Sequence, residues 1–252
     1  MSRRRKSARP ETCRALVTGG SGGIGQAICQ MLAAQGMEVI VHASGNPGKA
    51  EETARAISES GGQALAVQFD LTDAEATEKA MADLVDPDPL AVVVHNAGIH
   101  DDAPMAGMQA VQWQRVMEIN LNGFYRVVQP ALLGMARLRW GRVIAISSVA
   151  ARLGNRGQTN YAAAKAGLHG AIISLAREMA SRGITANTIA PGLIDTAMVG
   201  QDEAERALEL IPAGRMGTPA EVATLVAFLC SEPAGYINAQ MIGVDGGMAP
   251  GT

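Results

Sequence analysis

The chain has 252 residues, 48% of them hydrophobic but only 3% aromatic, and a formal net charge of −3. That length fits one large domain or two small ones, with a core of Val, Ile, Leu, Ala and Met. The mild acidity argues against nucleic-acid binding by the folded part. Cys13, Cys29 and Cys230 show neither CxxC nor zinc spacing, so they read as buried free thiols and no metal site is expected.

Residues 1–11 read as a disordered basic tail. Arg3, Arg4, Arg5, Lys6 and Arg9 are not followed by the apolar core of a signal peptide. No apolar stretch approaches the length of a membrane span. The expected location is the cytoplasm, with no membrane or nucleic-acid partner. Seven short apolar runs then alternate with helical patterns. The strands are expected at 14–18, 38–42, 64–69, 91–95, 142–147, 184–190 and 240–244. The helices are expected near 23–35, 47–60, 73–85, 109–118, 121–138, 158–181 and 219–231. Strict alternation with near-continuous apolar strands predicts an α/β fold: one Rossmann-like, doubly wound domain over 12–252, with a seven-stranded parallel sheet between helices.

The first strand runs into TGGSGGIG, Thr18 to Gly25, and then into a helix. Glycines let a backbone turn tightly against a pyrophosphate, and the following helix offers its free N–H groups to that anion. The location, after a strand and before a helix, is what a dinucleotide site requires. An acid after the second strand would hold a free ribose 2′-hydroxyl and repel a 2′-phosphate. Here that stretch reads Ala43, Ser44, Gly45, Asn46, with no carboxylate and with Lys49 close by. NADP(H) is therefore the expected cofactor, with Ser44 and Asn46 toward the phosphate.

Thr18, Gly19, Gly23 and Gly25, with the spacing T-G-x-x-x-G-x-G, resemble the glycine motif of the short-chain dehydrogenase/reductase family. The resemblance extends from about residue 13 to 248. Many NADPH-dependent members carry Arg where this chain has Gly22, which keeps NAD as the alternative. The resemblance implies further cofactor contacts from Ser21, Ile24, Asp70, Leu71 and the HNAG stretch, in which His95 replaces Asn before Asn96, Ala97 and Gly98. It also implies contacts from Pro191, Gly192, Ile194 and Thr196 at the nicotinamide end, followed by a lid to about Gly217. Asn120, Ser148, Tyr161 and Lys165 match the family's catalytic quartet, with Tyr161 and Lys165 also holding cofactor.

The chemistry suits those residue types. Hydride transfer to a ketone builds negative charge on its oxygen, and a phenol with a pKa near 10 can supply the proton. The i, i+4 spacing places Lys165 on the helical face of Tyr161. A unit charge about 4 Å away at an effective dielectric of about 20 is worth roughly 4 kcal/mol, so Lys165 is expected to lower the phenol's pKa. Ser148 would orient the substrate oxygen, and the resemblance gives Asn120 a water in the proton relay.

Within the family, GNRGQTNYAAAKAGL and IPAGRMGTPAEVA are most similar to bacterial 3-oxoacyl-[acyl-carrier-protein] reductases. The likeness implies NADPH-dependent reduction of a carrier-linked 3-oxoacyl thioester in fatty-acid biosynthesis or in a specialised polyene or polyketide pathway. It also implies docking of the acidic carrier by Arg126 and Arg182, and a homotetramer built on the helices around 121–138 and 158–181 and on the last strand. His100–Asp102 replaces the usual T-R-D at the rim. His42, His95, His100 and His169 read as structural or rim residues. Two alternatives remain: a dehydrogenase of a small alcohol, sugar or steroid, and a non-catalytic dinucleotide-binding sensor.

Overall fold

The computed structural model describes residues 8–196 and 209–249. Residues 1–7 of the expected tail, and 197–208 of the expected lid, lie outside the described residues. The strands are β1 (Arg14–Thr18), β2 (Glu38–Ala43), β3 (Gln63–Gln68), β4 (Leu90–His95), β5 (Gly141–Ile146), β6 (Ile184–Pro191) and β7 (Met241–Val244). The helices are α1 (Gly23–Ala34), α2 (Pro47–Glu59), α3 (Ala74–Val85), α4 (Ala110–Met117), α5 (Gly123–Leu138), α6 (Ala150–Leu153), α7 (Thr159–Met179) and α8 (Pro219–Leu229).

The seven strands form one parallel sheet in the order β3-β2-β1-β4-β5-β6-β7. Side chains alternate across it as the pleat requires. Ala15, Val17, Val39, Val41, Val92 and Val94 face a core closed by α1, α2 and α8. Leu16, Ile40, Val93, Val143 and Ala145 face a second core closed by α3, α5 and α7. The inner strands are mostly apolar because both faces are covered, although β6 buries Thr185, Asn187 and Thr188. The three cysteines are free and buried, as expected.

Two details depart from the expected elements. A short helix, α6, follows Ser148. The segments expected as separate helices at 109–118 and 121–138 are instead continuous through a π turn, Glu118–Asn122, which contains Asn120. A π turn widens the helical ladder locally, and it places Asn120 fully buried on the side of the second core.

Strand order reverses between β1 and β4. The crevice beyond their carboxyl ends is where open α/β sheets bind ligands. Thr18 and His95, the last residues of those two strands, are register partners.

Candidate active site

The glycine turn is built by close approach. Gly19 has φ +62, and Gly20 N donates to the His42 carbonyl at 2.9 Å. A Cβ on Gly25 would fall 2.1 Å from the Gly19 carbonyl oxygen, so α1 can start against the turn only without a side chain there. Asn96 Nδ2 donates to the Thr18 and Gly19 carbonyls at 3.1 and 3.0 Å. Gly22 and Gly23 stay exposed, and Thr196 returns over the turn, its Cγ2 being 3.1 Å from where a Cβ of Gly23 would lie. His42 supports the turn from below: Gly19 N donates to its Nδ1 at 3.2 Å, and its Nε2 pairs with the Phe69 carbonyl at 2.9 Å. Burial pushes this imidazole down to about 4, so it is neutral at pH 7.

At the expected adenosine end, the Asp70 carboxyl lies below its usual range, first through the Thr72 N–H and also through the Ser44 hydroxyl. Asn46 differs from expectation. Its side chain caps α2, accepting from Lys49 N at 3.4 Å, and so part of its hydrogen-bonding capacity is used within the chain. Ser21, Lys49 and Thr53 line a cavity of about 200 Å³ between the glycine turn and α2. The side chains of Leu71 and Ile194 are buried in the two cores, Ile194 against Gly217, so neither is displayed toward the crevice.

At the other end, Ser148 follows β5, and its Oγ accepts from Ala150 N at 3.1 Å, the turn that starts α6. Val149 N donates to the Pro191 carbonyl, and Gly192 N to the Val244 carbonyl, which ties the ends of β5, β6 and β7 together. Tyr161 and Lys165 lie in the first turns of α7. The buried Asn160 holds that start: its Oδ1 accepts from Tyr161 N at 2.8 Å, and its Nδ2 donates to the Asp101 carbonyl at 3.0 Å. Ser147 Oγ donates to the Lys165 carbonyl at 2.8 Å. Sequence reasoning missed Asn160 and Ser147; both are common residue types with no spacing signature of their own.

Lys165 is 3% exposed, and its Nζ donates to the Ile146 carbonyl at 2.9 Å. Its Nζ lies 5.6 Å from the centroid of the Tyr161 ring. Burial pushes its pKa down to about 8. The expected lowering of Tyr161 by this ammonium is not found. Burial raises the phenol above its ordinary value; interaction with Ser148 pulls it down, and the Asp102 charge pushes it up. The ammonium is aimed at the Ile146 carbonyl, and desolvation of the phenolate is the largest influence on the phenol.

Asn120 Nδ2 donates to the Ile99 and Val116 carbonyls at 2.8 Å each, while its buried Oδ1 has no hydrogen-bond partner among the described residues. A Cβ on Gly98 would fall 2.5 Å from that oxygen and 2.9 Å from Lys165 Nζ. The missing side chain of Gly98 therefore lets its backbone pass close to two polar atoms at once, an acceptor with no partner among the described residues and an ammonium with spare donors. A ribose hydroxyl or a water, donor and acceptor at once, satisfies both. The glycine turn and this pair of polar groups fit the two ends of a nicotinamide dinucleotide.

Arg126 and Arg182 are in different situations. Arg126 pairs with Glu118 at 2.7 Å and donates to the Leu71 carbonyl, so it is engaged within the chain. Arg182 lines a groove of about 650 Å³ with Arg137 and Arg139, over Leu133 and Met179 and beside Glu178. No helix of the described residues is long and apolar enough to cross a membrane, and no group of three or more His, Cys, Asp or Glu among them could hold a metal ion.

A glycine turn at the switch point of a parallel sheet, with Ser148, Tyr161 and Lys165 at the neighbouring strand end, defines the class. The chain belongs to the short-chain dehydrogenase/reductase family. A family model described as enoyl-(acyl carrier protein) reductase matches residues 19–249. The 3-oxoacyl-[acyl-carrier-protein] reductase FabG of Aggregatibacter actinomycetemcomitans is 44% identical over 236 residues, which cover 92% of this chain and 98% of that one. The enzymes of the same name from Aquifex aeolicus and Escherichia coli are 41% and 42% identical, and each match covers 96% of the relative.

Proposed function

We propose that the protein reduces a 3-oxoacyl thioester, carried on an acyl carrier protein, to the 3-hydroxyacyl thioester with NADPH. The observation that carries this reading is the meeting of Ser148, Tyr161 and Lys165, with Lys165 and Asn120 drawn close to the backbone of Gly98. Two hydroxyls directed to one place suit a carbonyl oxygen that gains negative charge. The relatives named above, matched along nearly their whole length, are named for this activity.

When bound, the dinucleotide supplies the hydride. Ser148 holds the C3 oxygen of the substrate by a hydrogen bond, and Tyr161 Oη gives it a proton as the C3 carbon is reduced. A phenol raised by burial stays protonated across the neutral range, the state that reduction requires. Lys165 holds the ribose, and with Asn120 Oδ1 it serves the return of a proton to Tyr161. Thr18, Gly19, Ser21, Gly23 and Gly25 take the pyrophosphate. Ser44 and Lys49 take the 2′-phosphate, favoured by the absence of a carboxylate after β2. Asp70 binds the adenine, and backbone groups from Asn96 to Gly98 and from Pro191 to Thr196 line the rest.

The carrier docks on the groove of Arg137, Arg139 and Arg182, a positive surface suited to an acidic partner. Four copies assemble through α5 and α7 and through the β7 edge. Tyr125 on α5 is 66% exposed, and Tyr236, just before β7, is fully exposed. The test compares NADPH with NADH and a carrier-linked 3-oxoacyl thioester with the matching trans-2-enoyl thioester. Faster oxidation of NADPH, with the 3-oxoacyl substrate, is expected; turnover confined to the enoyl thioester, or to small alcohols, would refute the reading.

A further inference from the structure

His95 ends β4 at the switch point, fully buried, and the chemistry above does not use it. Both ring nitrogens are nevertheless engaged. Nδ1 lies 3.2 Å from Thr18 Oγ1, and Nε2 lies 3.1 Å from the Asn120 carbonyl oxygen. A carbonyl can only accept, so the ring proton is on Nε2. Nδ1 then accepts, and Thr18 donates to it. The lone pairs of Thr18 Oγ1 in turn accept the backbone N–H groups of Asn96 and Ala97, at 3.0 Å each. A directed chain of hydrogen bonds thus runs from the 96–97 amides, through Thr18 and His95, to the carbonyl of Asn120.

The surroundings fit an imidazole. Its Cε1 is 3.3 Å from where a Cβ of Gly123 would lie, and Phe124 meets the ring edge-on at 5.9 Å. Burial, reinforced by the Lys165 charge, pushes its pKa down to about 3, so the ring is neutral at pH 7. The two ends of the chain matter to each other. Thr18 belongs to the turn assigned to the pyrophosphate. The π turn carries Asn120, whose Oδ1 and the Nζ of Lys165 both approach Gly98, and such turns are frequent at functional sites.

We propose that His95 is a positioning residue: its Nε2–H fastens the π turn to the glycine turn and so holds Asn120 in register with Lys165. The proposal rests on the catalytic reading above, because it acts through Asn120.

Three substitutions separate the two ring nitrogens. The Gln amide nitrogen reaches the place of Nε2, the Asn carbonyl oxygen reaches only the place of Nδ1, and Met keeps volume alone. His95→Met and His95→Asn are expected to lower kcat about 10- to 100-fold, as displacement of a positioned group does. Their NADPH dissociation constants, read by fluorescence, should stay near the wild-type value, and His95→Gln should retain most of the turnover. Hydrogen exchange of the cofactor-free protein gives a readout apart from activity. In His95→Met and His95→Asn it should quicken in residues 116–124 and not in β2. Wild-type kcat in His95→Met, or losses that follow melting temperature with Gln no better than Met, would overturn the proposal. If His95→Met does not fold, the contrast between Gln and Asn decides. A wild-type protein that ignores 3-oxoacyl thioesters would refute the activity instead, and exchange at 116–124 would still decide the role of His95.

Discussion

Lys165 is a buried cation whose hydrogen-bond acceptor, among the described residues, is the Ile146 carbonyl. Its folded-state pKa of about 8 is below the ordinary 10.5 of a lysine. The unfolded chain therefore binds more protons between those two values, and this group makes stability rise with pH across that window. Below about pH 8 its full penalty is present. Lys165→Met should thus melt above the wild type at pH 7, by up to about 3 kcal/mol, and the gap should narrow as pH rises toward 10.5. A variant no more stable at pH 7 would contradict this account of the site. Such a gain in stability at the expense of function is the usual sign of a strained active site. At this scale the sequence was legible where spacing carries chemistry: it singled out Ser148, Tyr161 and Lys165, which the structure brings near one another. The acceptor for Lys165 was not legible, because a backbone carbonyl leaves no mark in a sequence. Nor was the raised phenol of Tyr161, which depends on how much surrounding structure excludes water.

Among the elements, the glycine turn and the π turn do most to shape the site. The first was legible, because a strand, five glycines within seven residues and a helix leave few other conformations. Its close contacts make a specific demand. Gly25→Ala puts a methyl 2.1 Å from a backbone oxygen that has no flexible side chain to move aside. It should weaken NADPH binding more than about tenfold and lower the melting temperature, a local cost of about 1–3 kcal/mol; unchanged fluorescence titration would show that the turn does not hold the cofactor. The π turn was not legible. Helical periodicity on both sides of Asn120 reads as two helices or one, and the extra residue in the turn is fixed by tertiary bonds from Asn120 and His95. Helix α6 also escaped notice, since four residues carry no period. Gly167 on α7 admits Leu121 of the same chain, whose Cδ2 is 3.0 Å from where a Cβ would lie.

For the whole molecule, the parallel sheet and its two-faced burial followed from the alternation of apolar runs with helices, and length left room for one sheet. Surface chemistry followed less directly. Arg126 and Arg182 look alike as isolated letters, but Glu118, eight residues earlier, occupies Arg126. Arg182 instead joins Arg137 and Arg139, brought together by the C-terminal ends of α5 and α7. Arg182→Glu should therefore raise KM for a carrier-linked thioester about tenfold or more and leave a small soluble thioester unaffected. The effect should shrink as salt screens the charges. Equal losses on both substrates would remove the groove from the docking account.

The most direct measurement mixes the wild-type protein and Tyr161→Phe, each with NADPH and a 3-oxoacyl thioester, and follows absorbance at about 340 nm together with product. The wild type should consume NADPH and form one 3-hydroxyacyl thioester for each equivalent. Tyr161→Phe should bind NADPH with little change and lose turnover by about 10²- to 10⁴-fold, the share general acid catalysis supplies. Near-wild-type reduction by Tyr161→Phe, or no reduction by the wild type, would contradict the account.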